Sequence, residues 1–235
     1  MAVVKTPELV SRAGEPDVWR VTNSIFPSNS YVCHSDVDGE CLVVDPGTDP
    51  ELLEGALQQL ALRPRHVVLT HGHFDHAGGA AHFQQEHGAR VFLHPADTKT
   101  IKASNFLLMA FKLPFRMVQP IVEPLGAFPN APGRRALNVI PVPGHTPGSC
   151  VLRYGSACFT GDTLYANGIG LSRLPGEDPA LLAASLMELR RRLDDTWMIH
   201  PGHGPSAPFG AVMARNVALR RFLGLEETQT VGAQR

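Results

Sequence analysis

The stretch "THGHFDH", residues 70–76, places three histidines and one aspartate in seven positions. The chain has 11 histidines among 235 residues, so this clustering exceeds their general abundance. In a locally extended loop, side chains two residues apart point the same way, so His71 and His73 can converge on one ion. Asp75 and His76 follow as the chain turns and can face a second ion nearby. Imidazole and carboxylate ligands together suit zinc, iron or manganese.

Three further turns offer the ligands that one loop cannot supply for two ions. The motif "PVPGHTPGS" presents His145 between two Pro/Gly turns, and "ACFTGDT" ends a predicted strand at Asp162. The motif "WMIHPGHGP" presents His203 after a predicted strand and inside a glycine turn. Glycine and proline at these places let the backbone approach an ion without crowding by side chains. A solvated histidine-rich loop is the alternative, and the spacing of the four ligand-type residues in "THGHFDH" favours a metal site.

Short β-rich runs alternate with helical patterns along both halves of the chain. Helical patterns occur in "DPELLEGALQQLAL", with Asp49 at the N-cap, and in "DPALLAASLMELRRRL", with Asp178 there. A third pattern, "GAVMARNVALRRFLG", is expected to close the domain. This mixture predicts an α/β fold with sheet packed on sheet and helices outside. The predicted strands lie in "DVWRVT", "SYVCH", "CLVVD", "HVVLT", "RVFLH", "LNVIPV", "CVLRY" and "ACFTGD".

One domain over residues 1–235 is predicted, because no repeat, low-complexity tract or long linker interrupts the chain. An apolar, Pro-interrupted insertion at about residues 104–136 departs from the regular alternation of strand and helix patterns. Its side chains could line a substrate slot, and the alternatives are a helix packed on the core or a dimer contact. The side chains considered for this slot are Phe106, Leu107, Leu108, Met109, Phe111, Phe115 and Met117.

The composition excludes some partners. Lys and Arg together number 21, and Asp and Glu 22, so no charge bias indicates nucleic acid or an anionic membrane. The N-terminus lacks the pattern of a secretory signal, and the longest apolar stretch is too short to span a bilayer, so a cytoplasmic protein is expected. Without any Cys-x-x-Cys pair, buried and reduced thiols are expected, with a zinc-thiolate site or a disulfide as alternatives. The cysteines are Cys33, Cys41, Cys150 and Cys158.

The motifs "THGHFDH", "PGHTPGS", "FTGDTL" and "PGHG", in this order, give the chain a specific likeness. It resembles the metallo-β-lactamase-fold hydrolases, and more closely their glyoxalase II-like (hydroxyacylglutathione hydrolase) branch, over roughly residues 18–224. The resemblance implies a four-layer αββα fold, with two packed mixed β-sheets and outer helices. It also implies seven ligands: His71, His73 and His145 at the first ion, Asp75, His76 and His203 at the second, and Asp162 bridging both.

Two residues beyond these ligands also stand where such sequences carry them. Asp45, in "VVDPG", matches no direct ligand, and we expect it to contact a ligand histidine from behind; a turn residue at a strand end is the alternative. Ser185, in "ASLMEL", likewise occupies a family position. The remaining histidines lack motif context and are interpreted as non-ligands: His34, His66, His82, His87, His94 and His200.

The site predicts a reaction. Two cations roughly 3.5–4 Å apart share one water and lower its pKa toward neutrality. The resemblance therefore implies two divalent metal ions, with zinc expected and iron or manganese also suitable, and attack by a metal-bridging hydroxide on a thioester or related ester. Asp75 or Asp162 could pass the proton to the leaving group. The expected partner is a small-molecule acyl thioester, ester or lactone. A homodimer is considered as an oligomeric state.

Three alternatives to a thioesterase are kept. Tyr165 stands three residues after Asp162, where homoserine-lactone lactonases of this fold carry a tyrosine, so it could donate to an oxyanion as a catalytic residue. Persulfide dioxygenases share His71, His145 and Asp162 as a mononuclear iron site, but Leu171 stands where they carry arginine. A non-catalytic metal-binding protein is the third. True β-lactamases of this fold lack the bridging aspartate and are disfavoured, and the short segment after the last ligand leaves glutathione recognition in question.

Overall fold

A computed structural model of the chain describes residues 6–129 and 136–225. The last residues of the predicted insertion, 130–135, therefore lie outside the described part. The strands are β1 (Glu8–Leu9), β2 (Val18–Thr22), β3 (Asn29–His34), β4 (Glu40–Val44), β5 (Arg63–Val68), β6 (Arg90–Leu93), β7 (Val122–Pro124), β8 (Leu137–Pro141), β9 (Cys150–Tyr154), β10 (Ala157–Gly161), β11 (Leu164–Tyr165), β12 (Gly168–Ile169), β13 (Met198–Pro201) and β14 (Ala207–Pro208). The helices are α1 (Pro50–Leu60), α2 (Phe74–Ala77), α3 (Ala80–His87), α4 (Thr98–Ala110), α5 (Pro179–Arg192), α6 (Phe209–Arg215) and α7 (Val217–Phe222).

The first sheet has seven strands in the order β1-β2-β3-β4-β5-β6-β7. Strands β1 to β4 pair antiparallel, whereas β4 to β7 pair parallel. Parallel neighbours need a crossover, which α1, α3 and α4 provide between successive strands. The parallel half therefore brings the carboxyl ends of β4, β5 and β6 to one edge.

The second sheet has five strands in the order β14-β13-β10-β9-β8. Only β10 and β13 pair parallel in it, because α5 crosses between them. Strands β11 and β12 form a separate short hairpin directly after β10. Both sheets are thus mixed, as the resemblance implied.

Three groups of buried side chains separate the layers. On β3, Val32 packs with α1, α3 and α4 on one face, and the next residue, Cys33, packs between the sheets on the other. The inter-sheet group joins Val68 of the first sheet to Phe159 of the second. On the far side, Cys158 packs against α5, α6 and α7. This alternation follows from the two-residue period of a strand, and it confirms the four-layer αββα architecture.

The predicted strands and two of the helical patterns occur where expected. Asp178 caps α5 by accepting hydrogen bonds from the backbone N–H groups of its first turn at 2.9 and 3.0 Å. Asp49 stands at the N-cap of α1, but its side chain makes no capping hydrogen bond there. The third pattern is divided into α6 and α7, because the extended residue Asn216 interrupts it. The Asn216 side chain caps α7 at 3.0 Å and ties this break to the β11–β12 hairpin.

The insertion begins as a helix. Its residues 104–110 form the second half of α4, which packs Leu108 into the core together with Met117 from the following segment. Phe106 and Met109 are exposed on the same helix. All four cysteines are buried and free, as expected. Within the described residues, no helix has the length and apolarity needed to cross a membrane.

Candidate metal centre

The predicted ligands follow strands whose carboxyl ends meet at one edge of the molecule. His71 and His73 lie in the loop after β5, and His145 lies in the loop after β8. Asp162 directly follows β10, and His203 follows β13. Open α/β sheets commonly place their sites at this edge, because loops from several strands converge there.

The first group of side chains consists of His71, His73 and His145, which we name the three-histidine cluster. One nitrogen from each ring lies within 4.8 Å of the others. The Nε2 atom of His145 is 3.0 Å from Nδ1 of His73, and the ring of His71 lies 4.9 Å from each of the other two. All three residues are buried.

The second group consists of Asp75, His76, Asp162 and His203, which we name the carboxylate cluster. Asp162 connects the two groups: its carboxylate oxygens lie 3.2 Å from His76 Nε2, 3.5 Å from His203 Nε2 and 3.8 Å from His145 Nε2. Asp75 lies 3.2 Å from His203 Nε2. The structure thus brings all seven predicted ligands together, with the predicted bridging aspartate between the clusters.

Acceptors behind the rings hold the ligand nitrogens in place. The Nδ1 of His76 lies 2.9 Å from the Asp45 carboxylate, which also accepts from the hydroxyl and backbone N–H of Thr70. The Nδ1 atoms of His145 and His203 donate to backbone carbonyls at 3.1 and 2.7 Å. Because these acceptors engage Nδ1, the Nε2 atoms face the clusters. Asp45 thus lies behind His76, one of the candidate ligands, and contacts its ring as expected.

The cluster atoms fit a metal ion. Among the buried side-chain polar atoms described, four make no hydrogen bond, and three of them are His71 Nε2, His76 Nε2 and Asp162 Oδ1. The last two lie 3.2 Å apart, but without the geometry of a hydrogen bond. Buried polar atoms without hydrogen bonds are rare in native proteins and are typical of ion or water sites. Since these atoms belong to the two clusters and are nitrogen and oxygen donors, a divalent cation such as zinc, iron or manganese fits them.

The charge state differs between the clusters. Burial, followed by the neighbouring histidines, holds the pKa of His71 well below its usual range, and the same causes lower the pKa of His73 to about 4. In the carboxylate cluster, burial also acts to lower the pKa of both histidines. Asp162 and Asp75 overcome it, so the pKa of His76 is well above its usual value and that of His203 is raised to about 10.

Glycine at the edge allows close approach, as predicted from the motif "PGHG". A Cβ atom on Gly202 would lie 2.2 Å from Asp162 Oδ1 and 2.4 Å from His76 Cε1. Any side chain there would displace two of the candidate ligands. The turn before His203 therefore requires glycine for steric reasons.

Aromatic rings line the side of the site at which His203 is partly exposed. Phe26 has a left-handed backbone, with φ of 56°, and its ring lies 6.4 Å from that of His203. Phe74 and Phe111 lie 5.2 and 5.9 Å from the Phe26 ring. The ring of Tyr165 lies 6.0 Å from that of His203. Burial, followed by the nearby Asp162 carboxylate, raises the pKa of Tyr165, so its hydroxyl stays protonated.

Sequence reasoning missed residues that hold the ligand loops from α4. Asp97 is fully buried and accepts hydrogen bonds from both loops of the three-histidine cluster. The only signal for it was an aspartate shortly after a predicted strand, in "FLHPAD". Ser185, a family position, donates to the carbonyl of Pro143 at 2.8 Å and so supports the His145 loop from α5. His200 is buried outside both clusters.

The four-layer fold and the histidine-aspartate edge together define a metallohydrolase class. The sequence model of the metallo-beta-lactamase superfamily matches residues 24–206. The chain belongs to this superfamily, and it is similar to members of its glyoxalase II-like branch.

Three relatives illustrate the similarity. A hydroxyacylglutathione hydrolase of Anaeromyxobacter dehalogenans is 39% identical over 183 residues, which cover 78% of this chain and 64% of that protein. The crystal structure of TTHA1623 in a di-iron-bound form has 31% identity and a TM-score of 0.72, covering 84% of this chain and 97% of the other. The crystal structure of the B3 metallo-beta-lactamase BLEG-1 has 29% identity and a TM-score of 0.72, covering 86% and 99%.

Proposed function

We propose that the protein is a binuclear metal-dependent hydrolase that cleaves a thioester or a related ester of a small molecule. The observation that carries this proposal is the position of Asp162 between the two clusters, within 3.8 Å of ligand nitrogens on both sides. A carboxylate in this position could bind both cations of a two-metal site, in which the two ions act on one water. The similarity to a hydroxyacylglutathione hydrolase supports the same bond type.

The chain's own residues assign the roles. Two bound cations would acidify a shared water and polarise the carbonyl under attack. His71, His73 and His145 would hold the first cation, and Asp75, His76 and His203 the second, with Asp162 between them. We expect zinc in both positions, and the di-iron-bound relative keeps iron in consideration. Asp75 and Asp162 are the buried carboxylates placed to pass a proton to the leaving group.

The aromatic side of the site supports an apolar acyl group or ring as the part of the substrate next to His203. Phe26 and Phe111 are 38% and 44% exposed, so their rings remain available to a ligand. Apolar walls with a few convergent polar groups are typical of small-molecule pockets. We name the rings of Phe26, Phe74, Phe111 and Tyr165 the aromatic wall. Phe111 is the member of the predicted slot that lies in it, by its ring contacts with Phe26 and Phe74.

A lactone is the second candidate substrate, and Tyr165 favours it. Its protonated hydroxyl lies against the Asp162 carboxylate and could donate to the oxygen that becomes negative during attack. If so, Tyr165→Phe should lower kcat on a lactone by about 100-fold, the loss typical of one oxyanion donor, while KM changes little. Unchanged turnover on every substrate would remove this role and leave Tyr165 as a packing residue.

A side-by-side assay tests the proposal. Metal-free protein is reloaded separately with zinc, iron and manganese, the metal content is measured, and each form is given acyl thioesters with and without glutathione, homoserine lactones, a β-lactam and a persulfide. Two ions per chain and thioester or lactone cleavage support the proposal. One iron per chain with oxygen consumption on the persulfide would favour the dioxygenase instead. Bound metal without turnover would favour a non-catalytic protein.

A further inference from the structure

Asp97 joins the two loops of the three-histidine cluster. It lies at the N-terminus of α4 and is fully buried. Its Oδ2 atom accepts from the backbone N–H of Gly72 at 2.7 Å and from the hydroxyl of Thr146 at 2.8 Å. Its Oδ1 atom accepts from the backbone N–H of Gly148 at 2.7 Å and from the hydroxyl of Thr100 at 3.2 Å. Three of these four donors belong to the ligand loops.

The contacts of Asp97 differ from those of an ordinary helix cap. Asp178, at the start of α5, accepts from two backbone N–H groups of its own helix. Asp97 makes no such bond to the N–H groups of α4, although it stands at the same position. Among the described residues it also has no Lys, Arg or His ion pair, so neutral donors satisfy its buried carboxylate, three of them from distant loops and one, the Thr100 hydroxyl, from α4. Donors to a buried charge form strong hydrogen bonds.

The loops are pressed closely against the start of α4. A Cβ atom on Gly148 would lie 2.7 Å from the backbone nitrogen of Asp97 and 2.8 Å from its Cγ atom. The peptide of Gly72, between two ligand histidines, is held on both sides: its N–H donates to Asp97, and its carbonyl accepts from the buried hydroxyl of Ser104 at 2.8 Å. The separation of the two loops is thus set through one carboxylate.

We propose that Asp97 is a positioning residue for the three-histidine cluster, and that the affinity of this cluster for its metal ion depends on the Asp97 carboxylate. The inference rests on the metal site of the proposed function and adds a residue that touches no ligand atom. Asp97 sets the distance from His71 and His73 to His145 by accepting from Gly72 on one loop and from Thr146 and Gly148 on the other.

The effect should be selective. The carboxylate cluster is held by other groups: Asp45 orients His76, and a backbone carbonyl of the β2–β3 loop orients His203. Among the described residues, no hydrogen bond joins Asp97 to a member of that cluster. Substitution of a residue needed only for folding would weaken Zn²⁺ binding at both clusters equally. Substitution of a positioning residue of this kind weakens Zn²⁺ binding at one cluster.

Zn²⁺ titration of metal-free variants tests the inference. His203→Ala leaves the three-histidine cluster as the complete site, and His145→Ala leaves the carboxylate cluster. We expect Asp97→Asn to weaken Zn²⁺ binding by about 10- to 100-fold in the His203→Ala background, the loss typical of groups that orient ligands. In the His145→Ala background the affinity should change less than about twofold. Asp178→Asn, the same substitution at a helix cap outside both clusters, should change neither.

The outcomes separate this inference from the proposed function. If the His203→Ala parent binds no Zn²⁺, the metal site itself is wrong and both proposals fall. If it binds Zn²⁺ and Asp97→Asn leaves the affinity unchanged, or lowers it equally in both backgrounds, only the positioning role is wrong. Should Asp97→Asn fail to fold, Thr146→Val decides in the same titration, because it removes one donor while keeping the side-chain shape. A loss of roughly fivefold in the His203→Ala background alone is then expected.

Discussion

The two clusters lie side by side and meet at Asp162, yet they differ in residue types, in protonation and in access to solvent. The three-histidine cluster is buried and contains only imidazoles, and mutual burial keeps the pKa values of His71 and His73 low. The carboxylate cluster contains two aspartates, and the side chain of His203 is 29% exposed beside Phe26 and Tyr165.

This difference indicates separate tasks for the two halves of the site. The enclosed cluster of three histidines suits a cation that stays in place, held by loops packed on α4 and α5. The more exposed cluster, which contains Asp75 and His203, suits the cation that faces the substrate, because it lies next to the aromatic wall. Solvent exposure and the position of the aromatic rings thus point to the direction from which a substrate approaches.

The largest expected effect follows from removing the residue that the clusters share. Asp162→Ala should lower turnover by about 1,000-fold or more, since cations supply several kcal/mol of transition-state stabilisation and this change uncouples them. His71→Ala should act similarly by emptying the three-histidine cluster. The measurements are kcat on the best substrate from the side-by-side assay and the metal content of each variant.

His82→Ala is the matched control, because His82 contacts Glu54 and lies outside both clusters. It should retain activity within about twofold. Full activity in Asp162→Ala would contradict the ligand assignment and remove the basis of the comparison.

A second test uses the opposite pKa shifts. In the metal-free protein at neutral pH, His203, with its pKa raised to about 10, and His76 carry protons that a cation must displace. His71 and His73 have lowered pKa values and are already neutral. The Zn²⁺ affinity of the carboxylate cluster should therefore rise between about pH 6 and 9, by roughly tenfold per pH unit for each displaced proton.

Over the same range, the affinity of the three-histidine cluster should rise much less steeply, because His71 and His73 have no proton to lose there. Zn²⁺ titrations of His145→Ala and His203→Ala at several pH values measure the two slopes separately. Equal slopes would mean that the clusters do not differ in protonation, and the proposed division of tasks would lose its support.

The smallest effect is expected at Cys150, the first residue of β9 after the His145 loop. Cys150 is buried, its Sγ lies 3.4 Å from the carbonyl of Gly148, and burial raises its pKa to about 12, so it is not a thiolate at neutral pH. Cys150→Ala should change kcat by less than about twofold and lower the free energy of unfolding by about 1 kcal/mol. Kinetic assays and denaturant titration measure both quantities, and a large rate loss would revive a thiol mechanism.

Much of the fold could be predicted because its signals are local. Runs such as "HVVLT" show the apolar continuity of a strand buried on both faces, and Asp178 marks the start of α5 within one turn. The break at Asn216 was missed, since the pattern "GAVMARNVALRRFLG" is apolar at helical spacing throughout. Its cause is a contact with the β11–β12 hairpin about 50 residues earlier in the chain, at 2.9 and 3.0 Å.

The candidate site could also be predicted only where its signals are local in the sequence. The histidines and aspartates were predicted from short motifs, and the structure brings them together, but their role as ligands stays a proposal. The insertion was predicted as a candidate substrate slot, but its side chains lie in different environments. Leu108 and Met117 pack in the core, and Phe106 and Met109 are exposed. Phe111 belongs to the aromatic wall. Periodicity alone could not assign these directions.

The amino-acid sequence alone specifies the residue types that can bind a cation, their order along the chain, and the alternation of strands and helices that carries them. These features depend on neighbours within a few positions, so they can be read without coordinates. The contacts of Asp97 with two ligand loops, and of the Phe26 ring with those of Phe111 and His203, arise only in the folded chain. Such contacts join residues far apart in the chain, and their geometry exists only after both sheets have packed.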